Sequence, residues 1–208
     1  MHHCICVLKI PYTMVMYVTL DKGTMFGGKS SALCKLYIQY MKQKRNGQSL
    51  RILIVKHAID DRYDGEHYIV THDGKKIPCI RISHMRDIAP DEWDVLIIDE
   101  GQFFPDLYQW LDMHFQRLDT RVHIAGLNGD KRQRNFGDIN LISPFCSREV
   151  THYAMCAVCG EDAPFTKDRS NSSDIISVGG DNKYYTVCHR HLNVPASDIE
   201  AYVDYSDN

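Results

Sequence analysis

Residues 23–30, Gly23-Thr24-Met25-Phe26-Gly27-Gly28-Lys29-Ser30, fit the G-x4-G-K-[ST] phosphate-loop pattern. Each residue type has a physical task. Gly23, Gly27 and Gly28 let the backbone of this loop, in which Thr24, Met25 and Phe26 also stand, curl tightly so that its N–H groups point inward at phosphate oxygens. A helix starting at Lys29 adds its positive dipole end. Lys29 is expected to reach the terminal phosphates of a nucleotide such as ATP, and the Ser30 hydroxyl to ligate Mg2+. An apolar stretch before the loop and a helical stretch after it supply the context the pattern requires.

A second signal is Val95-Leu96-Ile97-Ile98-Asp99-Glu100, an apolar strand ending in two carboxylates. In phosphate-loop proteins an aspartate at such a strand end holds the Mg2+ shell, a role that suits Asp99. Glu100 follows at the carboxyl end of the sheet, where ligands collect in open α/β folds, and can accept a proton from an attacking hydroxyl or water. The strand alone is a weak signal. Paired with the phosphate loop it becomes specific.

The third signal is Cys156-x2-Cys159 followed by Cys188-x2-His191, with 28 residues between the two pairs. Two such knuckles make a closed Cys3His set, the structural rather than catalytic zinc pattern, with no position left for water. The x2 spacing favours His191 over His189 as fourth ligand. The other five of the eight cysteines are scattered, which suits a metal site and a reducing, cytoplasmic compartment better than a disulfide framework.

These groups need a scaffold, and the remaining pattern provides one. Apolar, β-rich runs at 14–20, 51–55, 94–98 and 121–127 read as buried strands, and 29–44 and 105–118 as helical. Strands separated by helices imply an α/β fold: a phosphate-loop domain with a mostly parallel sheet and helices on both faces. The segment 56–77 is rich in charge, His and Gly and reads as an extended loop or a flap with a hairpin. After about Phe145 the helical period disappears, leaving strand-like pieces at 174–178 and 183–187. The expected organisation is a lead-in at 1–13, an ATP-binding domain at 14–147, a zinc-bound lasso domain at 148–192 and a polar tail at 193–208. The lead-in lacks the uninterrupted apolar core of a signal peptide. A formal charge of −3, with acids and bases mixed, gives no reason to expect a nucleic-acid or membrane partner.

Taken together, Gly-x-Met-Phe-x-Gly-Lys-Ser, Asp99-Glu100-Gly101-Gln102-Phe103-Phe104 and the zinc ribbon resemble the cytosolic (type II) thymidine kinase family. Asp60-Asp61-Arg62-Tyr63, Thr71-His72-Asp73, Gly126-Leu127-Asn128-Gly129, Phe136-Gly137, Thr166-Lys167 and Gly179-Gly180 extend the resemblance from about residue 15 to 192. It implies transfer of the ATP γ-phosphate to the 5′-hydroxyl of thymidine, with Glu100 as general base. Arg62 would neutralise the transferring group and Asp60 would lie near the Mg2+. Met25, Phe103, Leu127 and Phe136 would wall the thymine pocket. Thr166, Ile175, Ile176, Ser177, Val178 and Tyr184 would belong to a lasso that closes over the nucleoside. The resemblance further implies a homotetramer and feedback inhibition by dTTP.

Three positions depart from the family pattern. Thr24 stands where Pro is usual, Lys131 where an aromatic commonly sits, and Asn128 where Asp is common. The Lys131 change bears on pocket shape and nucleoside range. Two rival functions are a phosphate-loop ATPase or nucleotide switch, and a zinc-ribbon nucleic-acid module. The first predicts phosphate release without an acceptor. The second predicts a basic stripe on the ribbon, yet Glu161, Asp162, Asp168, Asp174 and Asp181 make it mixed or acidic.

Overall fold

Residues 15–60, 67–71, 74–169 and 183–199 are described by the structure, a computed structural model. The expected lead-in at 1–13, Arg62, the lasso residues Ile175, Ile176, Ser177 and Val178, and the tail beyond 199 lie outside the described residues.

Eight elements build the scaffold of the site: β1 (Tyr17–Gly23), α1 (Lys29–Met41), β2 (Ile52–His57), β3 (Ile80–Ile82), β4 (Val95–Asp99), α2 (Leu107–His114), β5 (Arg121–Leu127) and β6 (Cys146–His152). The six strands form one sheet in the order β6-β1-β5-β4-β2-β3, and every neighbouring pair is parallel. β4 is buried along its whole length because both of its faces are covered. Val95 and Ile97 pack with Leu33, Cys34 and Tyr40 of α1. Leu96 and Ile98 pack on the other face with Val18, Leu20, Val122 and Ile124, and with Leu107, Trp110 and Leu111 of α2. A central strand of this kind reads as an unbroken apolar run, which is why it is visible in the sequence.

Both helices are shorter than expected. α1 stops at Met41 because Asn46 and Gly47 take positive φ (52° and 80°) and turn the chain into a small hairpin of Lys44–Arg45 with Gln48–Ser49. Two left-handed residues in a row are what a tight two-residue hairpin demands, and Asn-Gly supplies them cheaply. The segment 56–77 does contain a hairpin strand, Tyr68–Val70, which pairs with Lys76–Pro78.

The change of pattern expected near residue 145 does not end the sheet. β6 pairs with β1 from Cys146 through His152, so the expected 147/148 boundary falls inside a strand of the main sheet. Beyond it lie two short antiparallel pairs, Ala154–Met155 with Asp162–Ala163 and Phe165–Asp168 with Tyr184–Val187. This small lobe has a core of its own around Ala163, Tyr185, Val187 and Ile199.

Candidate active site

Parallel strands bring their carboxyl ends to one edge, and the ends of β1, β2, β4 and β5 surround a single cleft there. It has a cavity volume of about 110 Å³ and is lined by residues that include Met25, Lys29, Ser30, Lys56, Asp60, Asp99, Glu100 and Leu127. Five ionisable groups meet in it, Lys29, Lys56, Asp60, Asp99 and Glu100, each less than a tenth exposed. Burying so many charges at one place is expensive unless they serve a polar ligand.

The loop between β1 and α1 has the backbone its glycines permit. Gly23 has φ 144°, and a Cβ there would lie 1.9 Å from the His152 carbonyl oxygen. Thr24 does what a proline cannot. Its N–H donates to the His152 carbonyl (3.1 Å), and its hydroxyl accepts from the Ala154 N–H (3.1 Å). Loop stiffness therefore comes from hydrogen bonds to β6 and the residues after it. Lys29 Nζ donates to the Thr24 carbonyl at 2.5 Å, which points the ammonium into the loop.

Ser30 Oγ lies 3.2 Å from each carboxylate oxygen of Asp99. A hydroxyl and a carboxylate held this close at a cleft floor are the hard oxygen donors that suit Mg2+. Glu100, next along, has φ 54° and ψ 44°, a left-handed conformation that costs a non-glycine residue about 1 kcal/mol. Backbone strain of this sort gathers where a side chain must face a ligand.

Lys56 was not singled out in the sequence. It is 2% exposed, sits opposite Asp99 in the β2–β4 register, and lies 3.9 Å from Asp60. The available signal was a lysine directly extending an apolar strand run, at the sheet edge that carries Asp99. Nearby, burial pushes the Cys79 thiol up to about 11, so it remains a neutral neighbour of these charges.

The expected nucleoside wall is brought together in part. Met25 and Leu127 line the cleft. Phe103 and Phe136 meet edge to face with centroids 5.4 Å apart, outside that lining. Thr166 reaches the phosphate loop directly, its hydroxyl accepting the Met25 N–H at 3.2 Å. Tyr184 is 8% exposed and lies opposite Asp168 in the small lobe's hairpin.

The ligating atoms of Cys156, Cys159, Cys188 and His191 all lie within 4.8 Å of one another. Cys159 Sγ and Cys188 Sγ are 3.8 Å apart, and His191 Nδ1 is 3.2 Å from Cys188 Sγ and 3.5 Å from Cys156 Sγ. A tetrahedron around an ion with bonds of about 2.3 Å has edges of about 3.8 Å, so the donors fit zinc and are too far apart for a disulfide. His189 is turned away, its ring edge-on to Phe165 at 4.7 Å.

Comparison with known proteins adds an independent line. The family described as thymidine kinase matches residues 16–192. A thymidine kinase of rice (Oryza sativa subsp. japonica) is 32% identical over 176 residues, covering 81% of this chain and 63% of the rice protein. A thymidine kinase of Yaba monkey tumor virus is 32% identical over 174 residues, 83% of this chain and 92% of its own length. Human cytosolic thymidine kinase is 31% identical over 190 residues, 89% of this chain and 77% of the human protein. The chain thus spans a little under two thirds of the rice relative and most of the other two. The matched region begins just ahead of β1 and runs past the last of the clustered Cys and His residues. With the cleft, the phosphate loop and the four soft donors all inside that span, the chain belongs to the thymidine kinase family.

Proposed function

We propose that this chain is an ATP-dependent deoxynucleoside kinase that converts thymidine to dTMP. The carrying observation is the single cleft in which the phosphate loop, the Ser30–Asp99 contact and the buried Glu100 converge. The ATP phosphates lie along residues 23–30, with Lys29 at the γ-phosphoryl group. The 5′-oxygen of thymidine bonds to the γ-phosphorus while the bond from that phosphorus to the β–γ bridging oxygen breaks. ADP leaves with the electron pair, and the hydroxyl proton passes to the Glu100 carboxylate. Ser30, Asp99 and Asp60 would hold Mg2+, whose charge offsets that of the phosphate oxygens. Positioning and charge stabilisation do most of the catalysis.

The reading assigns Arg62 to the transferring phosphoryl group. Met25, Leu127, Phe103, Phe136 and Tyr184 would wall the nucleoside. Thr166 and the lasso residues Ile175, Ile176, Ser177 and Val178 would close over the base. Zinc on Cys156, Cys159, Cys188 and His191 would serve structure rather than chemistry. A cytosolic location, a homotetramer and feedback inhibition by dTTP belong to the same proposal, supported by the resemblance to the cytosolic enzymes. Among the described residues no helix is long and apolar enough to cross a membrane.

A panel of deoxynucleosides incubated with MgATP tests the reading. Thymidine is expected to give monophosphate and ADP in equal amounts. Phosphate release that does not depend on an added nucleoside would assign the chain to the ATPase class instead.

A further inference from the structure

We infer that Gln102 is the positioning residue of this site, holding the Glu100 carboxylate and the Leu127 wall in one fixed arrangement. The inference rests on the reading of Glu100 as proton acceptor.

Gln102 is 4% exposed, and its carboxamide is engaged at both ends. Nε2 donates to Glu100 Oε2 at 2.5 Å, and Oε1 accepts the Leu127 N–H at 2.9 Å. Chemistry fixes which way round the amide sits. A backbone N–H only donates, so it takes the amide oxygen. The NH2 group then faces Glu100, and an ionised carboxylate only accepts. No flipped amide satisfies both partners.

Surrounding backbone pins the residue in place. Gly137 has φ 55°, and a Cβ there would fall 2.1 Å from the Gln102 carbonyl oxygen. At Gly126, on β5, a Cβ would come within 2.9 Å of Gln102 Oε1. Gln102 therefore occupies a slot between β5 and the loop that carries Phe136 and Gly137.

Glu100 needs such a partner. Its left-handed backbone lies outside the regular strand, so the strand does not aim the side chain. A bond to Oε2 sets the rotation of the carboxylate, and the second bond refers that rotation to Leu127, which lines the cleft. Base and nucleoside wall are thereby held by one side chain. A neutral amide achieves this without adding another charge to a cleft that already holds five buried ionisable groups.

Two substitutions separate the contacts. Gln102→Glu keeps the size and the acceptor for Leu127 but faces Glu100 with a second carboxylate. Gln102→Met fills similar volume and makes neither bond. Misplacement of a reacting group by about 1 Å costs on the order of 100-fold. We therefore expect kcat to fall about 100-fold in both variants, and thymidine KM to rise only in Gln102→Met. ATP affinity, read by direct titration, is expected to stay within about twofold, because the phosphate loop is untouched. In the double variant Glu100→Gln/Gln102→Glu, donor and acceptor exchange places. It is expected to recover the melting temperature lost in Gln102→Glu while remaining as inactive as Glu100→Gln.

A kcat within about twofold of wild type in Gln102→Met overturns the inference. So does a parallel loss of kcat and ATP affinity in both variants, which would mark a folding role only. Full activity in Glu100→Gln would instead remove the base assignment. An inactive Glu100→Gln beside a fully active Gln102→Met would remove the Gln102 assignment alone.

Discussion

Lys131 Nζ lies 2.7 Å from Asp168 Oδ2, with both side chains under a tenth exposed, and this ion pair joins the loop after β5 to the hairpin of the small lobe. Cross-strand pairing puts Thr166, Asp168 and Tyr184 on one face of that hairpin, while Phe165, Tyr185 and Val187 pack into the lobe's own core. The face that meets Lys131 is therefore the face that carries Thr166 onto the phosphate loop. Where the family commonly places an aromatic, this chain has one half of a lobe-to-lobe contact.

Restoring the aromatic alone is expected to fail. Lys131→Phe removes the cation from a buried carboxylate, and breaking such a pair costs about 3–5 kcal/mol. The melting temperature should fall and thymidine KM should rise. Lys131→Phe combined with Asp168→Leu should recover much of both losses. Thermal denaturation and steady-state kinetics on the two variants check this, and equal losses in the single and double variants would deny the coupling.

Glu100→Gln keeps size and removes the proton acceptor, and it stays within hydrogen-bond reach of Gln102. The expected result is a fall in kcat of about 10²–10⁴-fold with ATP affinity unchanged. Single-turnover measurement at saturating thymidine isolates this step from product release. Wild-type turnover would take Glu100 out of the mechanism.

Removing the metal should separate the two substrates. Cys156→Ser takes one donor from the Cys3His cluster and is expected to release zinc and loosen the hairpin that carries Thr166 and Tyr184. Thymidine KM should rise at least about tenfold, from loss of the ordering that the metal supplies. ATP binding should persist, because β6 belongs to the main sheet and its last residue, His152, accepts the Thr24 N–H. Zinc content and separate titrations of the two substrates read the outcome. Unchanged zinc content would exclude Cys156 as a ligand.

Stability should depend on pH through His123. Its ring is 3% exposed, with Thr19 Oγ1 2.6 Å from Nδ1 and the Tyr40 hydroxyl 2.9 Å from Nε2. Burial, reinforced by the Arg121 and Arg148 cations, pushes its pKa down to about 4 from the ordinary 6.5. The unfolded chain thus takes up a proton at a pH where the folded chain does not. Stability is full above about pH 6.5 and is lost as pH falls toward 4, by on the order of 3 kcal/mol. Melting temperatures from pH 7.5 down to 4.5 should show the loss. His123→Gln should flatten it, and an unaltered slope in that variant would assign the effect to other groups.

How much of this was legible in the sequence depends on how local each signal is. The phosphate loop, Asp99-Glu100 and the Cys3His spacing are contiguous or nearly so, and the covered strand β4 announces itself as an apolar run. β6 was missed because it is an edge strand, Cys-Ser-Arg-Glu-Val-Thr-His, largely exposed and without an apolar stripe. The early end of α1 has a local signal in Asn46-Gly47, a dipeptide that favours a two-residue hairpin turn. Lys56 reads as the start of the long loop because it is charged, whereas the structure continues β2 through it. The Lys131–Asp168 pair and the bond from Leu127 to Gln102 depend on contacts between residues 37 and 25 positions apart, which no local pattern encodes.

The brace on the phosphate loop has a consequence for how the protein is made. Thr24 is held by His152 and Ala154, and β1 finds its outer neighbour only in β6, more than 120 residues later. On a chain emerging from the ribosome, residues 23–30 come out well before β6, so the phosphate loop has no rigid edge until His152 and Ala154 have been synthesised. Contacts this distant form late and slowly. A nascent chain released before residue 152 would display Gly23-Thr24-Met25-Phe26-Gly27-Gly28-Lys29-Ser30 and still lack the partners that stiffen the loop, so the loop's rigidity waits on the synthesis of β6.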